Sequence, residues 1–95
     1  MKTIDWRPGL TLPHDPQDIE DYLLGCAEWL GTETIASATA IADGLTVTTT
    51  APDGGNVPFR ISGGEVGATV AVTIRVVTSS GRSRDRTINF KVAQA

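Results

Sequence analysis

The sequence has little of what most site chemistry requires. Among 95 residues there is one cysteine, Cys26, and one histidine, His14. A lone thiol excludes an intrachain disulfide and a cysteine-rich zinc site, and leaves Cys26 the role of a small buried apolar side chain. His14 stands in Pro13-His14-Asp15-Pro16, and a proline-flanked arm is a poor platform for an imidazole that catalysis would need held rigid. It reads as a solvated loop residue. Aromatic residues make up 5% of the chain, few to spare for a sugar-binding face once a core has taken its share. No apolar run approaches the roughly 20 residues that span a bilayer, and Lys2, Asp5 and Arg7 interrupt any signal-peptide core. No membrane partner is expected. Leucine, lysine and glutamine are scarce as well, which argues against a helical bundle.

What is abundant is β-branched. Thirteen Thr, eight Val and seven Ile are stiff at χ1 and suit a pleated surface. Ten Gly and five Pro punctuate the apolar runs, as turns do between strands. The length allows one domain and excludes a dinucleotide-binding enzyme. The net charge of −3 speaks against attraction to nucleic-acid phosphates, yet it hides a split. Residues 1–33 hold seven acids and two bases, and residues 60–95 hold six bases and two acids.

Residues 1–17 carry three Pro and no sustained period, and read as an extended arm before a domain over 18–95. The arm keeps Ile4, Trp6, Leu10 and Leu12, so it lies on something, either its own sandwich or a neighbour. Residues 15–31 admit two readings. As a helix, Asp15 would cap it, Pro16 would take the first position and Gly31 would end it. As a strand, Tyr22, Leu24 and Cys26 alternate against Leu23, Gly25 and Ala27, with Trp29-Leu30-Gly31 as a closing turn, and Gly25 costs the helix about 1 kcal/mol relative to Ala.

From Thr34 onward the alternation is clear. Ile35 to Ala42 forms a strand of small residues, and Asp43-Gly44 reads as a hairpin turn. Leu45, Val47 and Thr49 alternate with Thr46, Thr48 and Thr50; then, past Pro52-Asp53-Gly54-Gly55, Val57, Phe59 and Ile61 alternate with Pro58 and Arg60. These two strands pair. After a glycine-rich connection over 62–68, Val70, Val72, Ile74 and Val76 point one way and Ala71, Thr73 and Arg75 the other. Ser79 to Arg82 turns the chain into a last strand with Ile88, Phe90 and Val92 inward. Arg82, Arg84 and Arg86 share that even parity. Burying three guanidinium groups would be prohibitive, so the strand is expected to begin near Arg86, with Arg82 and Arg84 on the hairpin tip. The whole reads as an all-β, immunoglobulin-like sandwich of six to seven short antiparallel strands with an extended N-terminal arm.

Other clusters carry little. Asp15, Asp18, Glu20 and Asp21 lack the spacing of a calcium loop. Ser62-Gly63-Gly64-Glu65-Val66-Gly67 lacks the Lys-Ser/Thr and following helix of a phosphate loop, and reads as a turn. No catalytic, cofactor or metal residues are expected, and no enzyme.

Six segments, taken together in their order and spacing, carry a resemblance. Asp21-Tyr22-Leu23-Leu24, Glu28-Trp29-Leu30-Gly31, Thr34-Ile35-Ala36-Ser37, Gly44-Leu45-Thr46-Val47, Ile61-Ser62-Gly63-Gly64 with Gly67, and Thr78 to Arg82 leading to Asp85-Arg86-Thr87 resemble the fibre–tail adaptors of tailed phages. The resemblance covers roughly residues 16–93 and favours a strand over 21–27. It implies a β-sandwich component of the virion, assembled in the bacterial cytoplasm, that joins tail, connector or fibre proteins in several copies. On that footing the expected partners are other phage structural proteins and further copies of this chain; the negative net charge and the lack of aromatics among the arginines argue separately against sequence-specific nucleic-acid binding. The expected docking residues are Ile4, Trp6, Arg7 and Leu10 on the arm, and Arg82 and Arg84 on the basic edge. Alternative readings are a head-closure or capsid-surface sandwich protein, or a carbohydrate or host-surface binding module.

Overall fold

A computed structural model describes residues 2–94. Eight strands and one short helix follow in order: β1 (Lys2–Ile4), β2 (Thr11–His14), β3 (Ile19–Gly25), α1 (Ala27–Leu30), β4 (Ile35–Ala42), β5 (Thr46–Thr49), β6 (Asn56–Ser62), β7 (Thr69–Thr78) and β8 (Ser83–Val92). They form two four-stranded sheets, β1-β3-β6-β5 and β2-β8-β7-β4. The expected small β-sandwich is the fold.

Its core is the alternation made physical. On β7, Val70, Val72, Ile74 and Val76 are buried; Ile88 and Phe90 of β8 join Leu24, Val57, Phe59 and Ile61 of the other sheet in one cluster, and Val92 is buried as well. Tyr22 stacks on Phe59 at 5.5 Å and tilts against Phe90 at 5.8 Å, so three aromatic rings tie the sheets together across their middle. Residues 19–25 are strand, paired antiparallel to β6 from Ile19↔Ser62 to Gly25↔Asn56. The helical signal survives only in the single turn of α1, where a closing turn was expected at Trp29-Leu30-Gly31.

Four features depart from the sequence reading. The arm contributes two strands, raising the number to eight, and both pair parallel: β1 with β3 and β2 with β8. Burial of Ile4 and Leu10 in the chain's own core explains the docking, each such side chain bringing about 1.5–3 kcal/mol. Asp43-Gly44 does turn the chain, with Gly44 at φ 118, but its flanking strands part company. β4 pairs with β7 and β5 with β6, so the turn carries the chain from one sheet to the other. His14 is buried rather than solvated, 3% exposed, with Nε2 3.0 Å from the Gly63 carbonyl and its ring edge-on to Phe90. The pairing of β2 with β8 sets His14 opposite Val92 and turns it inward. Finally, β8 begins at Ser83 and not near Arg86, which places Arg84 and Arg86 on a strand.

Candidate functional site

One end of the sandwich collects Arg82, Arg84 and Arg86. There β3 gives way to α1, β1 gives way to Trp6, and the ten-residue strands β7 and β8 run past the seven-residue β3 and β6. Arg84 and Arg86 keep the inward parity of Ile88, but no strand opposes them here. Indole rings do: the guanidinium of Arg86 lies 4.1 Å from the centre of the Trp6 ring, and those of Arg84 and Arg82 lie 5.1 and 5.2 Å from that of Trp29. Cation–π stacking lets an inward-facing arginine remain partly in water, which removes the burial penalty that argued against this register. Trp6 is itself fixed by a 2.9 Å hydrogen bond from Nε1 to the Thr87 carbonyl.

The arginines differ in what else they touch. Arg82 is paired to Glu33, which also accepts hydrogen bonds from Ser80 and from Thr78. The Ser80 hydroxyl, then Arg82 and Thr78, hold the Glu33 carboxyl below its ordinary value. Arg60 pairs with Asp21 at 2.7 Å and Arg75 with Asp85 at 2.8 Å. Arg84 and Arg86 have no ion pair among the described residues. Burial, then the like charge of Arg84, lowers the Arg86 pKa, though an arginine stays charged.

Between these groups lies a cleft of about 470 Å³, lined by Arg84, Arg86, Trp6, Trp29, Asn56 and Gly25 and by the exposed Asp5 and Glu28. Trp29 Nε1 is buried without a hydrogen-bond partner among the described residues. Cys26 also lines it; burial pushes its thiol pKa up, so it is a poor nucleophile. No group of three or more His, Cys, Asp or Glu side chains able to hold a metal occurs among the described residues. Two charged forks on aromatic plates suit the grip of a carboxylate more than chemistry upon it.

The sandwich is elongated, 41 × 22 × 20 Å, and its far end is acidic. Ile19 pairs with Ser62, Gly63 contacts His14, and Gly64 approaches Val92 and the Gly44 carbonyl, so the Asp15–Glu20 turn, the Asp43 turn and the 62–68 loop gather there. Asp18, Glu20, Asp43 and Glu65 are exposed there, as are Ile19 and Val66, against one exposed cation among the described residues, Lys91.

A family model described as podophage GP4 fiber-tail adaptor protein gp77 matches residues 14–91. The chain belongs to this fiber-tail adaptor family. As a phage fiber-tail adaptor it is a structural component of the virion that binds other tail and fibre proteins. The match takes in Trp29, Glu65, Arg82, Arg84 and Arg86, whereas Ile4, Trp6, Arg7 and Leu10 precede it. No curated protein matches the sequence. Among solved structures, the solution structure of Amebosin is similar with a TM-score of 0.52, at 14% identity over 96% of this chain and 96% of that one. At such identity the likeness concerns the fold alone.

Of the docking residues expected in this adaptor, Ile4 and Leu10 are buried in its own core, Trp6 is half-buried, and Arg7, Arg82 and Arg84 are exposed. The structure brings Trp6, Arg82 and Arg84 to one end. It adds two residues that the sequence reading left out of the site, Trp29 and Arg86. The signal for Arg86 was present in the shared even parity of Arg84, Arg86 and Ile88, which was read as a contradiction and is the register itself; nothing in the sequence marked Trp29 as part of the site.

Proposed function

We propose that this chain is a non-enzymatic adaptor that joins tail or connector proteins to fibres or neighbouring tail parts, and that it works as an oligomeric ring. Family membership supports the adaptor role. The observation that carries the ring is the complementarity of the two ends: among the described residues Arg84 and Arg86 stand without an ion pair at one, beside exposed Asp5 and Glu28, and exposed Asp18, Glu20, Asp43 and Glu65 stand at the other, beside Lys91. A surface that complements a different surface on the same molecule makes a heterologous contact, and such contacts close into rings where the rotation permits. Charge sets register and encounter, while buried aromatic groups supply more of the affinity. Ile4 and Leu10 anchor the arm, and Trp6, Arg7 and Arg84 are where a partner reaches it. The sugar-binding alternative is weakened because Arg82 and Arg84 lie over the Trp29 ring and Arg86 over that of Trp6.

The test is a particle assembled without this chain. Electron microscopy should show filled heads whose tails lack fibres, and restoring the chain should add a ring of density at the tail. Particles that keep their full set of fibres without it contradict the proposal.

A further inference from the structure

The loop over 62–68 stands out at the acidic end. Three of its residues, Gly63, Gly64 and Gly67, carry no side chain, and each has a positive φ, so the loop is slim and its shape is set by backbone. Two neighbouring side chains of its 65–68 turn, closed by the Ala68 amide on the Glu65 carbonyl, are open to solvent: Glu65, exposed, and Val66, 55% exposed. The cleft at the opposite end offers the complement of that pair. It holds two guanidinium groups that have no ion pair among the described residues, two indoles, and an unpartnered Trp29 Nε1. The geometry points to a socket: the Glu65-Val66 tip of one copy enters the Arg84–Arg86 cleft of the next, the carboxylate between the two arginines and the valine against an indole.

Size and charge both select such a tip. A cleft of about 470 Å³ holds two side chains and not a strand or a helix. Asp5 and Glu28, which also line the cleft, repel a ligand with several negative charges, such as a run of nucleic-acid phosphates, but tolerate a single carboxylate. Removing the arginine charges from water against a bound carboxylate is favourable when both forks are satisfied. Val66 would cover apolar surface that now faces solvent. The loop and cleft lie at opposite ends of the 41 Å axis, so no chain can fill its own socket, and the axis of each subunit runs along the circumference of the assembly.

This inference rests on the ring reading, and the experiment separates the two. Association of the full-length wild-type chain is measured by sedimentation and native mass spectrometry, beside Glu65→Lys and Arg84→Glu/Arg86→Glu variants whose fold is checked by circular dichroism. Each variant alone should associate about tenfold or more weakly than wild type, as loss of a close interfacial charge pair does. Mixed together they should recover to within about threefold. In alternate contacts of the mixture, the lysine introduced in one variant meets the glutamates introduced in the other, and the retained Glu65 meets the retained Arg84 and Arg86. A wild-type chain that stays monomeric overturns the ring reading and the socket with it. Wild-type oligomers that Glu65→Lys leaves intact overturn the socket alone, as does a mixture no tighter than its parts.

Discussion

Trp6 closes the arm onto the sandwich, and its replacement by alanine measures how firmly. The side chain is half-buried between β1 and β2, its Nε1 bonds the Thr87 carbonyl at 2.9 Å, and its ring carries Arg86 at 4.1 Å. Half of a tryptophan's roughly 200 Å² of buried area, at about 25 cal/mol per Å², is worth about 2.5 kcal/mol. The hydrogen bond adds about 1 kcal/mol and the cation–π contact about 0.5–1. Because a real unfolded chain already hides part of that area, the sum of about 4 is an upper bound and about 3 kcal/mol is expected. That is a large share of the roughly 5–15 kcal/mol that holds a domain together. With a urea m-value of about 1–1.5 kcal/mol/M, the unfolding midpoint should fall by about 2–3 M. Far-UV circular dichroism is the proper probe, since the substitution removes one of two tryptophans. Trp6→Phe keeps much of the ring and loses the hydrogen bond, and should lie between wild type and alanine. Hydrogen exchange supplies the local readout: the amides of Asn89 and Ala93, which bond the carbonyls of Leu10 and His14, should exchange faster in Trp6→Ala. A midpoint within about 0.3 M of wild type, close to the error of the method, together with unchanged exchange at those amides, would refute the docked arm.

Gly64 and Gly63 both have positive φ, but a Cβ on Gly64 would sit 2.9 Å from Val92 Cγ2 while one on Gly63 meets nothing within 4 Å. Gly64→Ala should therefore lower thermal stability clearly more than Gly63→Ala, whose cost of about 1–2 kcal/mol is that of the left-handed backbone alone; equal melting temperatures would contradict the packing at this end. Acid should weaken the fold through Asp21, Glu33 and Asp85, whose carboxyls are held down mainly by hydrogen bonds from Arg60, Ser80 and Arg75 respectively. Their folded values lie below the ordinary 3.8 to 4.5, so their stabilisation is present above that range and is lost as pH falls through the lowered values. Urea midpoints taken from pH 7 downward should drop below about pH 4.5, with a smaller drop in Glu33→Gln. Cys26, buried with its thiol pKa raised, should react with a disulfide reagent at about pH 8 only slowly in the native protein and at once in urea; rapid native labelling would show that the cleft lining opens.

The strands from 35 onward were legible because each buries one face, and a period of two then states the register by itself. β6, β7 and β8 carry Val, Ile and Phe at every second position, and all of them proved buried. The arm was not legible in the same way. β1 is three residues long and β2 four, too short to show a period, and their inward residues are defined by distant partners, Leu24 and Val92. His14 illustrates this: its local sequence is that of a loop, and only the β8 ladder buries it. The site was half legible. Arg82 and Arg84 were marked by their charge, but that tryptophans would take the place of an opposing sheet depends on where two strands outrun their neighbours. Linear order records no such difference in length across a sandwich.

The parallel pairing of the arm also fixes an order of events. Trp6 and the Thr87 carbonyl that receives its hydrogen bond are 81 positions apart, and β2 has no ladder to join until β8 has paired with β7. Closing so long a loop is slow relative to forming the β7–β8 hairpin, whose ends are joined by a short turn. β2 is thus late to settle, and until it does the outer backbone of β8 is bare. A chain caught at that stage offers this open edge to any extended segment nearby, so the time between hairpin formation and the docking of β2 is the interval in which misassembly competes with folding.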